Sequence, residues 1–246
     1  MRKKRVFSIL ILKFNKKMNS FIINATPSYV VSSENTNQPK VVQYLNQNIR
    51  AFYHSDYEGG GGKWRVPDTI ENVICTLKND ITPYSSDVLQ KASRQLADIL
   101  LKDLPQILQQ TGKGNLTVCV VPRAKANHNA NQLFFKATIS SVVNHLNSFC
   151  NGTNYIARHT DTQTTHRARW GHGGSGSMPY PNITKDTCSI SDEVRGKDIL
   201  LIDDLYTKSV NIDEDAIQAL LDNGANSVVF YAIGKTVSRD SISLQP

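Results

Sequence analysis

The chain has no long hydrophobic run, no closely spaced cysteine pair, few aromatics (8%) and no internal repeat. Its most apolar stretch, Val6 to Leu12, falls far short of the ~20 residues a bilayer-crossing helix needs, so no membrane partner is expected. Basic residues precede that stretch as in a secretory signal. Lys13, Lys16 and Lys17, however, stand where a small-residue cleavage site belongs. Cys75, Cys119, Cys150 and Cys188 are too scattered for a disulfide framework or a zinc ribbon, and fit free thiols in a reducing cytoplasm. A cytoplasmic protein is therefore expected.

A field for polyanions is also lacking. The net charge of +7 is supplied entirely by Arg2, Lys3, Lys4, Arg5, Lys13, Lys16 and Lys17, and the rest of the chain is balanced. Nucleic acid is thus a disfavoured partner despite the basic isoelectric point. Residues 1–17 read as a disordered basic leader, with Met18 as an alternative start ahead of the strand-like Phe21-Ile22-Ile23-Asn24.

What is present is alternating strand and helix. The Gly59–Gly62 run reads as a flexible loop, because Pro67 biases Val66 toward extended backbone and no helix opens directly after the glycines. Ser85, Ser86 and Asp87 offer caps to a helix whose apolar residues Val88, Leu89, Ala92, Leu96, Ile99 and Leu100 recur at helical spacing as far as Pro105. Leu116 to Val121 is a nearly continuous apolar run, the pattern of a parallel strand buried on both faces. A polar loop, a helical stripe (Phe135, Ile139, Val142, Val143, Leu146) and a strand near residues 154–157 complete one βαβ unit.

The second unit begins at Asp198-Ile199-Leu200-Leu201-Ile202 and continues through a turn to a helix bearing Ile212, Ala216, Ile217, Leu220 and Leu221. Gly224 stops that helix, Asn211 and Glu214 have the spacing of a capping pair, and residues 227–233 form the next strand. Two successive βαβ units predict an α/β fold with a doubly wound parallel sheet, whose ligands bind beyond the carboxyl ends of the strands. Between the units, residues 158–197 show no sustained period. That length inside a domain marks a functional lid or a disordered connection.

Asp203 and Asp204 follow the apolar strand, and Leu205-Tyr206-Thr207-Lys208-Ser209-Val210-Asn211 leads into the helix. Carboxylates accept hydrogen bonds from vicinal hydroxyls, while hydroxyl side chains and the unpaired N–H groups of a first helical turn donate to an anion. Together they suit a ribose phosphate. His159, His166 and His172 have no metal-ligand spacing, so no metal ligands are assigned.

Residues 199–211 resemble the phosphoribosyl pyrophosphate (PRPP) signature of the type I phosphoribosyltransferases: four apolar residues, two acids, an apolar residue, any residue, then a Thr-Thr-Gly-x-Thr-like loop. The resemblance spans roughly residues 116–236. It implies a core domain over residues 111–246, a hood over 158–197, and a segment 18–110 that packs on or extends the core. It implies that Asp203 and Asp204 hold the ribose hydroxyls. It also implies that Thr207, Lys208, Ser209, Val210 and Asn211 wrap the 5′-phosphate, and that Arg123, Ala124 and Lys125 meet the pyrophosphate after an earlier strand. The implied activity is transfer of the phosphoribosyl group of Mg²⁺-bound PRPP to a nitrogen acceptor with release of pyrophosphate. A nucleoside monophosphate is the related ligand, and a homodimer is an allowed assembly.

Thr162-Gln163 and Arg167-Ala168-Arg169 are similar to a pattern of the competence-associated ComF-like branch. Two departures from the signature stand out: Ser209 replaces the usual glycine and Asn211 the usual hydroxyl residue. Asp213, Glu214 and Asp215 add three acids to the first helical turn, where they suit the helix dipole but repel a phosphate. These departures leave a non-catalytic PRPP or nucleotide sensor, or a ComF-like accessory protein, as alternatives.

Overall fold

A computed structural model describes residues 18–32, 39–81, 83–165 and 173–237 of the chain. The basic leader, His166, Arg167, Ala168, Arg169 and His172 lie outside the described residues.

One mixed α/β sheet organises the molecule. Its strands lie in the order β1 (Asn19–Ile23), β4 (Ile49–Glu58), β10 (Ser227–Val237), β9 (Asp198–Tyr206), β5 (Leu116–Val120) and β6 (Phe149–Asn151). β1 pairs antiparallel with β4, and every other pairing is parallel. A hairpin, β2 (Tyr29–Ser32) with β3 (Pro39–Val42), stands outside this sheet. Strands from both ends of the sequence therefore share one sheet.

Helices cover both faces. α1 (Ile70–Lys78), α2 (Ser86–Thr111) and α3 (Phe134–Val143) bury Leu77, Leu96, Leu100, Leu104 and Ile139 against Val118, Val120, Leu200, Ile202 and Tyr231. The opposite face takes α5 (Ile212–Asp222), which packs Ala216, Ile217 and Leu220 onto Cys119, Ile199, Leu201 and Phe230. Both sides of β5 and of β9 from Ile199 to Ile202 are thereby desolvated, which is why these stretches read as nearly continuous apolar runs.

Three local expectations are corrected. α2 does not stop at Pro105 but continues to Thr111. Pro105 and Leu101 are both exposed, so the carbonyl that loses its helical partner to Pro105 faces water. The strand beside β5 is β6 at residues 149–151, not the apolar stretch near 154–157. The Gly152 N–H donates to the Val118 carbonyl at 2.9 Å, and a Cβ at Gly152 would lie 2.7 Å from the Tyr155 ring, so the chain folds back on itself at once. β7 (Ile156–Arg158) instead pairs antiparallel with β8 (Cys188–Ile190), just after the short helix α4 (Ile183–Thr187). Finally, Asn211 caps nothing with its side chain and adopts a left-handed φ of 59°.

The order of these strands places a switch point between β5 and β9. From β5 the chain crosses outward through α3 to β6, and from β9 it crosses the other way through α5 to β10, on the opposite face. Crossovers that diverge from two neighbouring strands leave a crevice at their carboxyl ends.

Candidate functional site

That crevice is a cleft of about 390 Å³, and its position follows from unequal strand lengths. β5 stays in register with β9 only as far as Val120 opposite Ile202. The Val121 N–H makes a last bond to the Ile202 carbonyl at 2.9 Å, and the chain then leaves the sheet. β9 runs on beside β10 to Tyr206. Asp203 and Asp204 therefore occupy the notch where β9 has lost a neighbour on one side.

The cleft gathers Arg123, Ala124 and Lys125 together with Asp203 and Asp204. Thr207, Lys208, Ser209, Val210 and Asn211 do not line it, although the adjacent Ile212 does. The Val210 N–H donates to the Thr207 carbonyl at 3.0 Å, closing a turn, and the Thr207 hydroxyl lies 2.8 Å from that of Thr236. Asn211, not Ser209, takes the left-handed conformation of this loop. The residue standing in place of glycine thus carries no positive-φ strain, because the turn has moved its special position two residues on.

The acids after this loop differ most from expectation. Asp213, Glu214 and Asp215 are not a solvated patch at a helix end: they are 4%, 3% and 2% exposed. Asp215 accepts the Asn182 and Thr184 N–H groups at 2.6 and 2.7 Å. Glu214 accepts the Tyr206 hydroxyl at 2.9 Å. Asp213 meets Asp203. Burial, then the neighbouring Asp204, pushes the Asp203 carboxyl up to about 7, and burial, then Asp203, raises Asp213 well above the ordinary carboxyl range, so the two hydrogen-bonded acids hold a proton between them. Asp213 is therefore a buried partner of the acid pair rather than a solvated charge at the helix end.

Asp204 has a different partner. Lys78, the last residue of α1, places its Nζ 2.9 Å from Asp204 Oδ1. Burial works against the lysine's charge, yet Asp204 and then Asp203 hold its pKa above the ordinary value. Asn79 follows in a left-handed C-cap (φ 48°), and Asp80 forms an ion pair with Arg123 across the cleft. The end of α1 thus supplies one charge to each wall.

Other cations are also engaged. Lys125 donates to the Thr162 and Ser175 carbonyls at 3.0 and 2.7 Å. Arg158 donates to the Arg123 carbonyl and, at 2.6 Å, to the Thr187 hydroxyl. Lys136 lines the cleft half-buried with no charged partner among the described residues, and burial lowers its pKa. His128 Nε2 is buried there without a hydrogen bond, and burial and Arg123 keep this imidazole below its usual pKa. Thr162 and Gln163 line the cleft too, and the Thr162 N–H donates to the Ala124 carbonyl at 2.8 Å.

Sequence reasoning missed Lys78, Asp80, His128 and Lys136, and read Asp213 only as a charge at the start of its helix. Only Asp213 left a signal: it stands three and four residues before Ala216 and Ile217, on the buried stripe of its helix. Among the described residues no group of three or more His, Cys, Asp or Glu side chains is placed to hold a metal, and no helix is long and apolar enough to cross a membrane. No protein-family model matches the chain, and none of the curated proteins compared with it matches either.

Proposed function

We propose that the cleft binds a ribose 5-phosphate ligand, PRPP or a nucleoside 5′-monophosphate, and that the protein transfers the phosphoribosyl group of PRPP to a nitrogen acceptor with release of pyrophosphate, as a type I phosphoribosyltransferase-like enzyme. One observation carries this reading. The acid pair and the 123–125 loop, separated by some eighty residues of sequence, line one cleft at the switch point of a parallel sheet.

In this reading Asp203 and Asp204 accept the ribose hydroxyls, and cations on the opposite wall face the diphosphate. Any magnesium enters with the substrate, carried by the diphosphate and not by the protein's own acids. The described acids suit a metal ligand set poorly, since Asp204 is paired with Lys78 and Asp203 accepts from Asp213. The protein's own contribution is to orient the ribose, hold the leaving group and exclude water, which is what a reaction with charge separating at the anomeric carbon needs most.

A second reading, a PRPP or nucleotide sensor without turnover, is favoured by one observation. Arg123 is tied to Asp80, and Lys125 to backbone carbonyls, where a diphosphate requires free cations. Titration calorimetry with PRPP, AMP, GMP and UMP, together with a pyrophosphate-release assay across a panel of bases and amines, separates the readings. Binding with release identifies the transferase, and binding without release the sensor. Asp203→Asn combined with Asp204→Asn weakens PRPP binding more than about tenfold in either case; a double variant that binds like the parent removes the site.

A further inference from the structure

We propose that Lys78 is the built-in cation of this cleft, taking beside the acid pair and the bound ribose phosphate the place a divalent ion would otherwise fill, so that the protein binds its ligand without a divalent metal. The inference rests on the ribose-phosphate reading and goes beyond it by assigning the counter-charge.

Three observations support it. The first is position: Nζ of Lys78 lies 2.9 Å from Asp204 Oδ1, and Lys78, Asp203 and Asp204 all line the cleft. An ammonium has three donors, so after serving Asp204 it keeps two for the oxygens of an anion lying against the acids.

The second is rigidity. Lys78 is carried by a packed helix and not by a loop. Leu77 is buried beside it, and Ile74, one turn earlier, sits over Gly234 of β10 so closely that a Cβ there would lie 2.9 Å from Ile74 Cδ1. The end of the helix is also the favoured location for a positive charge.

The third is the donor chemistry of the acids. Asp203 receives a hydrogen bond from Asp213 and Asp204 faces an ammonium, so neither presents the free anionic oxygens that a hard divalent ion selects. A lysine offers one charge where such an ion offers two. The cleft is thereby matched to an anion that arrives without metal, such as a nucleoside monophosphate, or PRPP in a chelating buffer.

The test is calorimetric titration of the full chain with PRPP, in excess EDTA and again in saturating magnesium chloride, for the parent, Lys78→Met and Lys78→Arg. The expected result is that the parent binds PRPP in EDTA. Lys78→Met weakens that binding about tenfold or more, the size of one lost charged hydrogen bond, while magnesium restores most of it and Lys78→Arg binds in EDTA. Far-UV circular dichroism checks that each variant is folded. Should Lys78→Met not fold, the parent in EDTA and Lys78→Arg still decide the matter.

A parent that binds PRPP only with magnesium overturns the inference and leaves the ribose-phosphate reading standing. So does a Lys78→Met that binds in EDTA as the parent does, or one whose loss magnesium does not repair. A parent that binds PRPP in neither buffer overturns the reading itself, and the inference with it.

Discussion

Two acids lie buried on opposite faces of the same sheet and behave differently. Asp103, on α2, accepts the hydroxyl of Tyr231 at 2.7 Å and faces Nδ1 of His54 at 2.8 Å. Asp213, on α5, faces another acid and leaves Oδ1 without a partner. On the α2 face Glu71 and Thr138, also buried, have hydrogen-bond partners, whereas the start of α5 crowds three carboxyl groups behind the cleft. A buried polar group with its donors supplied strengthens a fold, while one left short of partners raises its energy and persists where a site needs it. The contrast separates the part of the molecule that holds the structure from the part poised to act.

The strongest way to break that contrast is Asp103→Ala. It strands the hydroxyl of Tyr231, which is fully buried, and should cost about 2 to 3 kcal/mol in urea unfolding while leaving PRPP affinity unchanged. A loss of affinity matching the loss of stability would show that the two faces are not separable.

Gly234→Ala should cost about 1 to 3 kcal/mol, because the new methyl meets Ile74 Cδ1 at 2.9 Å and both Leu205 Cδ1 and Tyr57 Cβ at 3.2 Å. Unlike Asp103→Ala it should also weaken PRPP binding, since it presses on Ile74 of α1, the helix that carries Lys78. An alanine variant with unaltered binding would mean that the helix does not set the lysine's position.

A smaller effect depends on pH. Asp203 is pushed up to about 7, and Asp213 is raised well beyond the ordinary carboxyl range, so the folded chain holds a proton that the unfolded chain releases near pH 4. The stability this confers is complete below the unfolded value and falls as pH climbs, with Asp203 giving up its share near about 7. Asp213→Asn supplies a permanent neutral donor and should flatten this decline. Between about pH 5 and pH 8 it should lose less stability than the parent by about 1 kcal/mol or more. Parallel stability profiles for the two proteins would remove the shared proton.

The alternation of apolar strands and amphipathic helices was legible because β5 and β9 are buried on both faces, which forces continuous apolar runs, and α5 has one clean stripe. The acid pair was legible for the same reason: it directly follows such a run, Ile199 to Ile202. What could not be read is set by contacts distant in sequence. Lys78 meets Asp204 and Asp80 meets Arg123 only because α1 packs over β10, and no local pattern in residues 70–80 records that. The three acids of α5 look like a dipole-friendly first turn, and their burial depends on Asn182, Thr184 and Tyr206 arriving from elsewhere. β6 escaped notice because three residues carry almost no periodic signal.

The smallest expected effect concerns the loop beside the cleft, and it reverses what the signature alone suggests. A glycine at position 209 is the family's usual residue, so Ser209→Gly is expected from sequence to free the backbone and tighten phosphate binding. The structure puts the left-handed conformation at Asn211 (φ 59°), leaving no strain at Ser209 for a glycine to relieve. The substitution adds freedom to the unfolded chain, which should lower stability by about 0.5 kcal/mol or more, with PRPP affinity no tighter than the parent's. Asn211→Gly is the informative partner. Glycine accepts the positive φ at least as well as asparagine, so that variant should keep both stability and affinity within about 0.5 kcal/mol. If calorimetry finds instead that Ser209→Gly binds PRPP several-fold more tightly, the loop rearranges around phosphate, and the signature position governs the bound state even though it does not govern the free one.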